Sequence, residues 1–395
     1  MTEKFNILTL NNISSTGLSV LPGDRYNVFS QGEDPDAILL RSFDMHKMEF
    51  PASGSLKAVA RAGAGVNNIP VEKCSNAGIV VFNTPGANAN AVKELVLASL
   101  LISSRKICDG VAWTHTLKGK ENVPKLVEKG KAEFAGPEIM GKTIGVIGLG
   151  AIGVLVANCC ASPEIGMNVL GFDPFLSVEG AWSLSNSVRK AHDLDEIYAS
   201  ADYISVHVPL NSNTKAMFNA DAFAKFKRGA RLLNFSRGEL ADGGAVISAL
   251  KDGVLAAYVT DFASDELIGE KGVIAIPHLG ASTPESEDNC AYMAATQLKD
   301  YLEYGNIKNS VNFPDCSLIY TGRKRFCVLH QNRPNIIAPI VTNVAKKNLN
   351  IDNMLNKSKE DLACTLIDVD KSDVDLNLAK DDIAKIDGVI GVKII

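Results

Sequence analysis

The chain has 395 residues, a formal net charge of −5, 46% hydrophobic residues and 22% charged ones. That length suggests two or three domains of ordinary globular composition, and the acidic balance argues against nucleic acid or an anionic membrane as a partner. No apolar run reaches the roughly 18 residues that span a bilayer, and MTEKFNILTL lacks the features of a secretory signal, so a cytoplasmic location is expected.

In chain order, NILTL (6–10), DAILLRS (36–42), LKAVARAG (56–63) and IVVFNTPG (79–86) are predicted strands, with VEKCSNAG closing a helical turn at Gly78. Strands alternating with helices predict a parallel, doubly wound sheet, on which ligands bind beyond the carboxyl ends of the strands. Arg41 and the RAGAGVNN loop (61–68) fall at such ends. ANAVKELVLASLLISSRKI (89–107) is predicted as one long apolar helix, and the charged stretch 118–140 as an exposed excursion suited to a subunit contact.

A second doubly wound segment opens at Thr143. Its predicted strands are TIGVIG (143–148), NVLGFD (168–173), YISVHVP (203–209), ARLLNFS (230–236), AAYVTDF (256–262) and VIAIPHLG (273–280), with helices between them such as GGAVISALKDG (243–253). SEDNCAYMAATQLKDYLEYG (286–305) is predicted as one helix and KNSVNFPD (308–315) as a tail or linker. RFCVLH (325–330), a helix over 334–348, the hairpin LNIDNMLNKS and LACTLIDVD, the helix LAKDDIAKI and the strand VIGVKII follow. Their order, strand–helix–strand–strand–helix–strand, predicts a ferredoxin-like unit of about 75 residues.

The glycines Gly148, Gly150 and Gly153 stand at G-x-G-x-x-G spacing after a predicted strand and at the start of a helix, with Asp173 beyond them. Such glycines turn the chain beside a pyrophosphate, and an acidic residue at that distance accepts a ribose 2′-OH and repels a 2′-phosphate, so NAD is the expected cofactor. Arg237, Glu266 and His278 each look ordinary alone. All three lie at or just after predicted strand ends, which a parallel sheet gathers at one edge. Oxidising a 2-hydroxy acid needs a proton acceptor, which a histidine oriented by a carboxylate supplies, and a cation for the carboxylate, which Arg237 supplies. The eight cysteines form no C-x-x-C pair and are expected to be free, mostly buried thiols, with no metal site.

RAGAGVNN, NTPGAN, KTIGVIGLGAIG, FDP, HVPLNSNT, NFSRG, TDF with Glu266, and PHLGAST together resemble the D-isomer-specific 2-hydroxyacid dehydrogenase family over about residues 1–312. The resemblance implies two doubly wound parallel-sheet domains of Rossmann and flavodoxin type. The NAD-binding domain (99–280) is inserted into a discontinuous substrate-binding domain (1–98 and 281–315), and a C-terminal ACT-like regulatory domain covers 320–395. It implies catalysis by Arg237, Glu266 and His278. It places cofactor contacts on Gly148, Gly150, Ala151, Ile152, Gly153, Asp173, His207, Val208, Pro209, Thr214, Phe235, Ser236, Asp261, His278 and Gly280.

Substrate contacts fall on Arg41, Arg61, Gly63, Ala64 and Gly65, with Lys131 reaching a neighbouring subunit's site. The most similar members act on 3-phosphoglycerate, giving 3-phosphohydroxypyruvate, and bind L-serine through positions that match His330, Asn332 and Asn350. Asn335 departs from their usual glycine, Leu follows Glu266 where Pro is usual, and Lys93 replaces a small residue. A homodimer or homotetramer is implied. The alternatives are a hydroxypyruvate or glyoxylate reductase and a non-enzymatic, NAD-sensing co-repressor-like binder.

Overall fold

The computed structural model describes residues 4–51, 54–370 and 375–395. Three sheets organise the chain. The first contains β1 (Phe5–Leu10), β2 (Tyr26–Phe29), β3 (Ala37–Leu40), β4 (Ala58–Arg61) and β5 (Val80–Phe82), all parallel, in the order β2-β1-β3-β4-β5. The second contains β6 (Thr143–Ile147), β7 (Asn168–Phe172), β8 (Val188–Lys190), β9 (Tyr203–Val206), β10 (Ala230–Asn234), β11 (Leu255–Thr260) and β12 (Val273–Ala275). It is parallel throughout, in the order β12-β11-β10-β9-β6-β7-β8. Runs such as AILL (37–40) are buried on both faces, which is why they are continuously apolar rather than alternating. The third contains β13 (Lys324–Gln331), β14 (Ile351–Lys359), β15 (Leu362–Val369) and β16 (Val389–Ile394), antiparallel, in the order β14-β15-β13-β16.

The chain divides into two compact units, one formed by Met1–Ala87 with Glu287–Ile395 and the other by Asn88–Ser286. In the first, the apolar faces of two sheets share one core. Ile7, Leu39, Ala60 and Phe82 pack with Ala294, Leu298 and Tyr301 of the helix Pro284–Tyr304, and Cys327, Leu329, Cys364 and Leu366 of the third sheet join them. The opposite face of the third sheet, Phe326, Val328, Ile367 and Val369, is covered by the helices Ile337–Lys346 and Leu376–Ala384. In the second unit, helices pack on both faces of the seven-stranded sheet. Val92, Val96 and Leu100 of the helix Ala89–Arg105 lie against Val146, Val169 and Leu233.

Several expectations are corrected. The apolar helix ends at Arg105 because Lys106 is left-handed (φ 48°), and a second helix, Ile107–His115, restarts in a new direction. The charged excursion contains a helix, Val123–Gly130, that starts with proline in its first turn. β2 and β8 are too short to show a period in the sequence. The segment 308–315, expected as a linker, runs beside β5 instead: Ser310 bridges Phe82, Val311 N–H donates to Val81 O (2.9 Å), and Val81 N–H donates to Asn312 Oδ1 (2.9 Å). All eight cysteines are free, and only Cys108 is fully exposed. No helix among the described residues is long and apolar enough to cross a membrane.

One buried charge ties the third sheet to the chain that leads into it. Arg325 has no exposed surface. It donates through Nε and Nη2 to the two oxygens of Asp368 (2.5 and 2.9 Å), and through Nη1 to Tyr304 O (2.9 Å) and Leu318 O (3.0 Å). Removing one member of such a buried pair strands the other. Arg325→Ala is therefore expected to lower unfolding stability by about 3–5 kcal/mol in urea titration, far more than a surface arginine substitution.

Candidate functional site

The seven-stranded sheet reverses its strand order between β6 and β9, and a crevice opens there beyond the carboxyl ends of the strands. Gly148 follows β6 with φ 89°, and a Cβ on it would stand 2.5 Å from His207 O. A Cβ on Gly153 would stand 1.9 Å from Gly148 O. Both positions therefore exclude a side chain: one lets the turn form against the loop after β9, the other lets the helix pack on the turn. At Gly150, by contrast, a Cβ meets nothing within 4 Å. Gly150 caps the helix Ala151–Cys160 without a side-chain hydrogen bond, so the first helical N–H groups, including those of Ala151 and Ile152, have no side-chain partner from the cap. Open space before uncapped helical N–H groups is the arrangement that holds a pyrophosphate. Asp173 follows β7 and is half-buried; its two oxygens accept from Leu149 N–H (2.8 Å) and Phe175 N–H (2.8 Å). It is thus fixed beside the glycine turn as a ribose acceptor would be. These residues fit NAD.

The loops after β9 and β10 are tied down by side chains. Thr214 Oγ donates to Pro209 O (2.6 Å) and accepts from Asn211 N–H (2.9 Å), closing the loop that carries His207 and Val208. Ser236 Oγ donates to Val206 O (2.8 Å). Buried Asn234 donates to Arg237 O (2.8 Å) and accepts from Ser236 N–H (3.2 Å), so it sets the course of Phe235, Ser236 and Arg237. His207 bonds Ser205 Oγ (2.9 Å) through Nε2, while its buried Nδ1 has no partner, and burial pushes its pKa down to about 4. It is therefore a neutral imidazole near pH 7.

Arg237, Asp261 and His278 gather at this edge. Arg237 is exposed and donates through Nη1 to its neighbour Ser236 O (2.6 Å). Asp261, just past β11, is buried. One of its oxygens accepts from Gly280 N–H (3.1 Å) and the other has no partner. Burial raises its pKa; the Gly280 N–H and the nearby His278 and Arg237 act in the opposite direction. His278 is exposed, and its ring lies 4.8 Å from that of Phe262, which fixes its plane. Glu266 is also exposed, but the expected hydrogen bond between Glu266 and His278 is not formed. The Glu266 carboxylate rests instead against Gly243, where a Cβ would be 1.9 Å from Oε1. Gly243 opens the helix Gly243–Lys251, so the carboxylate is seated at a helix N-terminus that favours its charge.

In the other unit, Arg41 and the RAGAGVNN loop follow β3 and β4 at the carboxyl edge of their sheet. Arg41 pairs with Glu287 (2.6 Å). Arg61 directs Nε to Arg41 O (2.8 Å) and Nη1 to Gly65 O, and Asn68 donates to Arg41 O and Phe43 O. Arg61 therefore shapes the loop of Gly63, Ala64 and Gly65. Lys131 is exposed and paired with Glu128. In the third sheet, His330 is buried and bonded to Thr365 Oγ and Gln331 O (both 2.8 Å), and Asn332 donates to Glu360 O (2.8 Å). Asn350 is not brought to them. It precedes β14, whose first residue pairs with Val369, opposite Lys324, whereas His330 pairs with Ala363; the two ends are about 20 Å apart along the strands. Asn335 is left-handed (φ 63°), a conformation that asparagine tolerates better than most residues.

Asn234, Gly243 and Phe262, which touch the candidate residues, are positions that motif reading missed. Only Asn234 carried a signal, a polar residue at the end of a buried apolar run.

Residues 97–280 match the family model of the D-isomer specific 2-hydroxyacid dehydrogenase NAD-binding domain. The chain is 32% identical over 356 residues to D-3-phosphoglycerate dehydrogenase of Haemophilus influenzae, a match covering 87% of this chain and 82% of that one. It is 36% identical over 286 residues to D-3-phosphoglycerate dehydrogenase of Synechocystis sp., covering 71% of this chain, and it spans only 49% of that relative's length. Among solved structures, the NAD-bound 3-phosphoglycerate dehydrogenase of Entamoeba histolytica aligns with a TM-score of 0.61 at 25% identity, over 78% of this chain and 99% of that one. The chain belongs to the D-isomer-specific 2-hydroxyacid dehydrogenase family. That family consists of NAD-dependent oxidoreductases.

Two outcomes follow. Gly243→Ala should displace the Glu266 carboxylate from this competing seat and leave kcat/KM within about threefold of the wild type or above it, whereas Glu266→Gln should lower kcat/KM about 10- to 100-fold with NAD affinity by fluorescence titration unchanged. His207 has a folded pKa near 4 against 6.5 unfolded. The unfolded chain then binds the extra proton, so this group's contribution to stability is intact above pH 6.5 and declines as pH falls toward 4. Unfolding titrations should show His207→Gln flattening that part of the pH profile.

Proposed function

We propose that this chain oxidises 3-phospho-D-glycerate to 3-phosphohydroxypyruvate with NAD. The observation that carries the proposal is the convergence of His278, Arg237 and the half-satisfied Asp261 past the strand ends of an NAD-binding sheet. Bound NAD supplies the hydride acceptor for C2. His278 accepts the proton of the C2 hydroxyl, and the imidazolium that forms is stabilised when Glu266 swings from Gly243 to pair with it. Arg237 binds the substrate carboxylate as a planar, bidentate donor. The unpartnered oxygen of Asp261 accepts from the nicotinamide carboxamide and orients the ring.

In the unit that carries them, Arg41 and the N–H groups of Ala64 and Gly65 are the anion-binding groups; Gly63, whose N–H donates to Arg61 O (2.9 Å), turns the loop, and the Arg61 side chain holds it. Lys131 is assigned to a neighbouring subunit's site. The phosphorylated acid is favoured over hydroxypyruvate and glyoxylate by the similarity to 3-phosphoglycerate dehydrogenases and by the cations at this edge. A protein that only binds NAD would not need all three of Arg237, Glu266 and His278.

We also assign the βαββαβ unit as an ACT-like regulatory domain that binds L-serine. Asn350 lies at the opposite end of the sheet from His330 and Asn332, so a serine site using all three requires a second copy related by a two-fold axis. That arrangement implies a homodimer or homotetramer, and a serine-pathway enzyme of this kind is expected in the cytoplasm.

One assay tests these assignments together. Absorbance at 340 nm should show 3-phosphoglycerate preferred over glycerate by about 10²-fold or more in kcat/KM. L-Serine should slow the reaction, and His278→Ala should lower kcat by about 10²- to 10⁴-fold with NAD binding retained. Near-normal turnover by His278→Ala would remove it from the chemistry, and no reaction with any 2-hydroxy acid would favour the NAD-binding co-repressor alternative.

A further inference from the structure

The third sheet reaches the loop proposed to bind substrate through a continuous set of hydrogen bonds. Lys359, the last residue of β14, directs Nζ to Ser310 O (3.1 Å) and Val311 O (3.0 Å). Those carbonyls belong to the segment that lies along β5: Ser310 bridges Phe82, Val311 N–H donates to Val81 O (2.9 Å), and Asn83 N–H donates to Asn309 O (3.4 Å). Asn83 in turn donates through its side chain to Ala64 O (2.6 Å), and Thr84 N–H donates to Gly63 O (3.1 Å). Gly63 and Ala64 are the middle of the loop. On the other side of Lys359, the hairpin turn is held by Asn332, whose N–H donates to Asp361 O (2.8 Å) and whose side chain donates to Glu360 O (2.8 Å).

We propose that Lys359 is a positioning residue for the 63–65 loop, an assignment that rests on the proposed role of that loop in binding substrate. The segment 309–312 acts as an added edge on β5, and Lys359 is the cation that fixes its carbonyls. An ammonium that donates to two carbonyls contributes more than a neutral hydrogen bond and sets the spacing of both acceptors. Without it, the edge segment keeps its contacts to β5, but the strand end that carries Asn83 and Thr84 is less constrained. The N–H groups of Ala64 and Gly65 then sample geometries that do not meet an anion.

Lys359 lies outside the reacting groups, so its replacement should alter substrate affinity rather than chemistry. Lys359→Met should raise KM for 3-phosphoglycerate about three- to tenfold, with kcat, NAD affinity and melting temperature unchanged. Lys359→Arg, which keeps the cation, should stay within about twofold of the wild type. Amide exchange supplies a readout independent of the substrate: protection at Asn83 and Thr84 should fall in Lys359→Met, while that at Val311 is kept. Should the wild type fail to oxidise 3-phosphoglycerate, the functional proposal fails, and exchange alone still decides whether Lys359 positions the loop. An unchanged KM together with unchanged protection, or an arginine variant no better than the methionine one, would overturn the inference.

Discussion

Parallel pairing brings the carboxyl ends of successive strands to one edge of a sheet, and the functional residues of both sheets depend on it. β6, β7, β9, β10, β11 and β12 are all parallel. The residues just beyond them, Gly148, Asp173, His207, Arg237, Asp261 and His278, therefore lie along one edge of the sheet although 130 positions separate the first from the last. The close contact between Gly148 and Gly153 completes the arrangement, because the helix Ala151–Cys160 can bring its N-terminus to the crevice only where neither residue has a side chain. The five-stranded sheet obeys the same rule with Arg41, Arg61 and Asn83.

At the reacting edge, fixed and adjustable groups are divided. Asp261, Asn234 and Ser236 are held by hydrogen bonds to the backbone, and the His278 ring rests 4.8 Å from that of Phe262. Arg237, Glu266 and His278 are themselves exposed. Exposure leaves their heads free to reorganise around a substrate, while the buried groups hold the backbone from which they project. Glu266 shows the division most clearly: its carboxylate is exposed and sits over Gly243, not hydrogen-bonded to His278.

The sequence carried the backbone requirements of this fold better than its side-chain pairings. Glycine spacing and Asp173 announced the cofactor turn because only glycine allows those close approaches. Apolar runs announced nearly every strand, but YNVF and VRK are too short to show a period. The break at Lys106 was invisible because no Gly or Pro marks it; a lysine there adopts a left-handed conformation that its type does not favour. Pairings across long separations were equally hidden. Arg325 reads as an ordinary strand residue until Asp368 is found opposite it, Arg61 reads as a substrate cation until it is seen donating to its own loop, and 308–315 reads as a linker until Val81 is found beside it. The missing Glu266–His278 bond has the same origin, since Gly243 offers the carboxylate a competing seat that spacing cannot reveal.

The central claim is that hydride leaves C2 of 3-phospho-D-glycerate at an edge built by the seven-stranded sheet. Incubating the enzyme with NAD and 3-phospho-D-glycerate deuterated at C2, followed by mass spectrometry of the reduced cofactor, tests it directly. The account predicts one deuterium per NADH formed, and none from the L enantiomer because it gives no NADH. Reduced cofactor that carries no deuterium, or equal turnover of the two enantiomers, would contradict it.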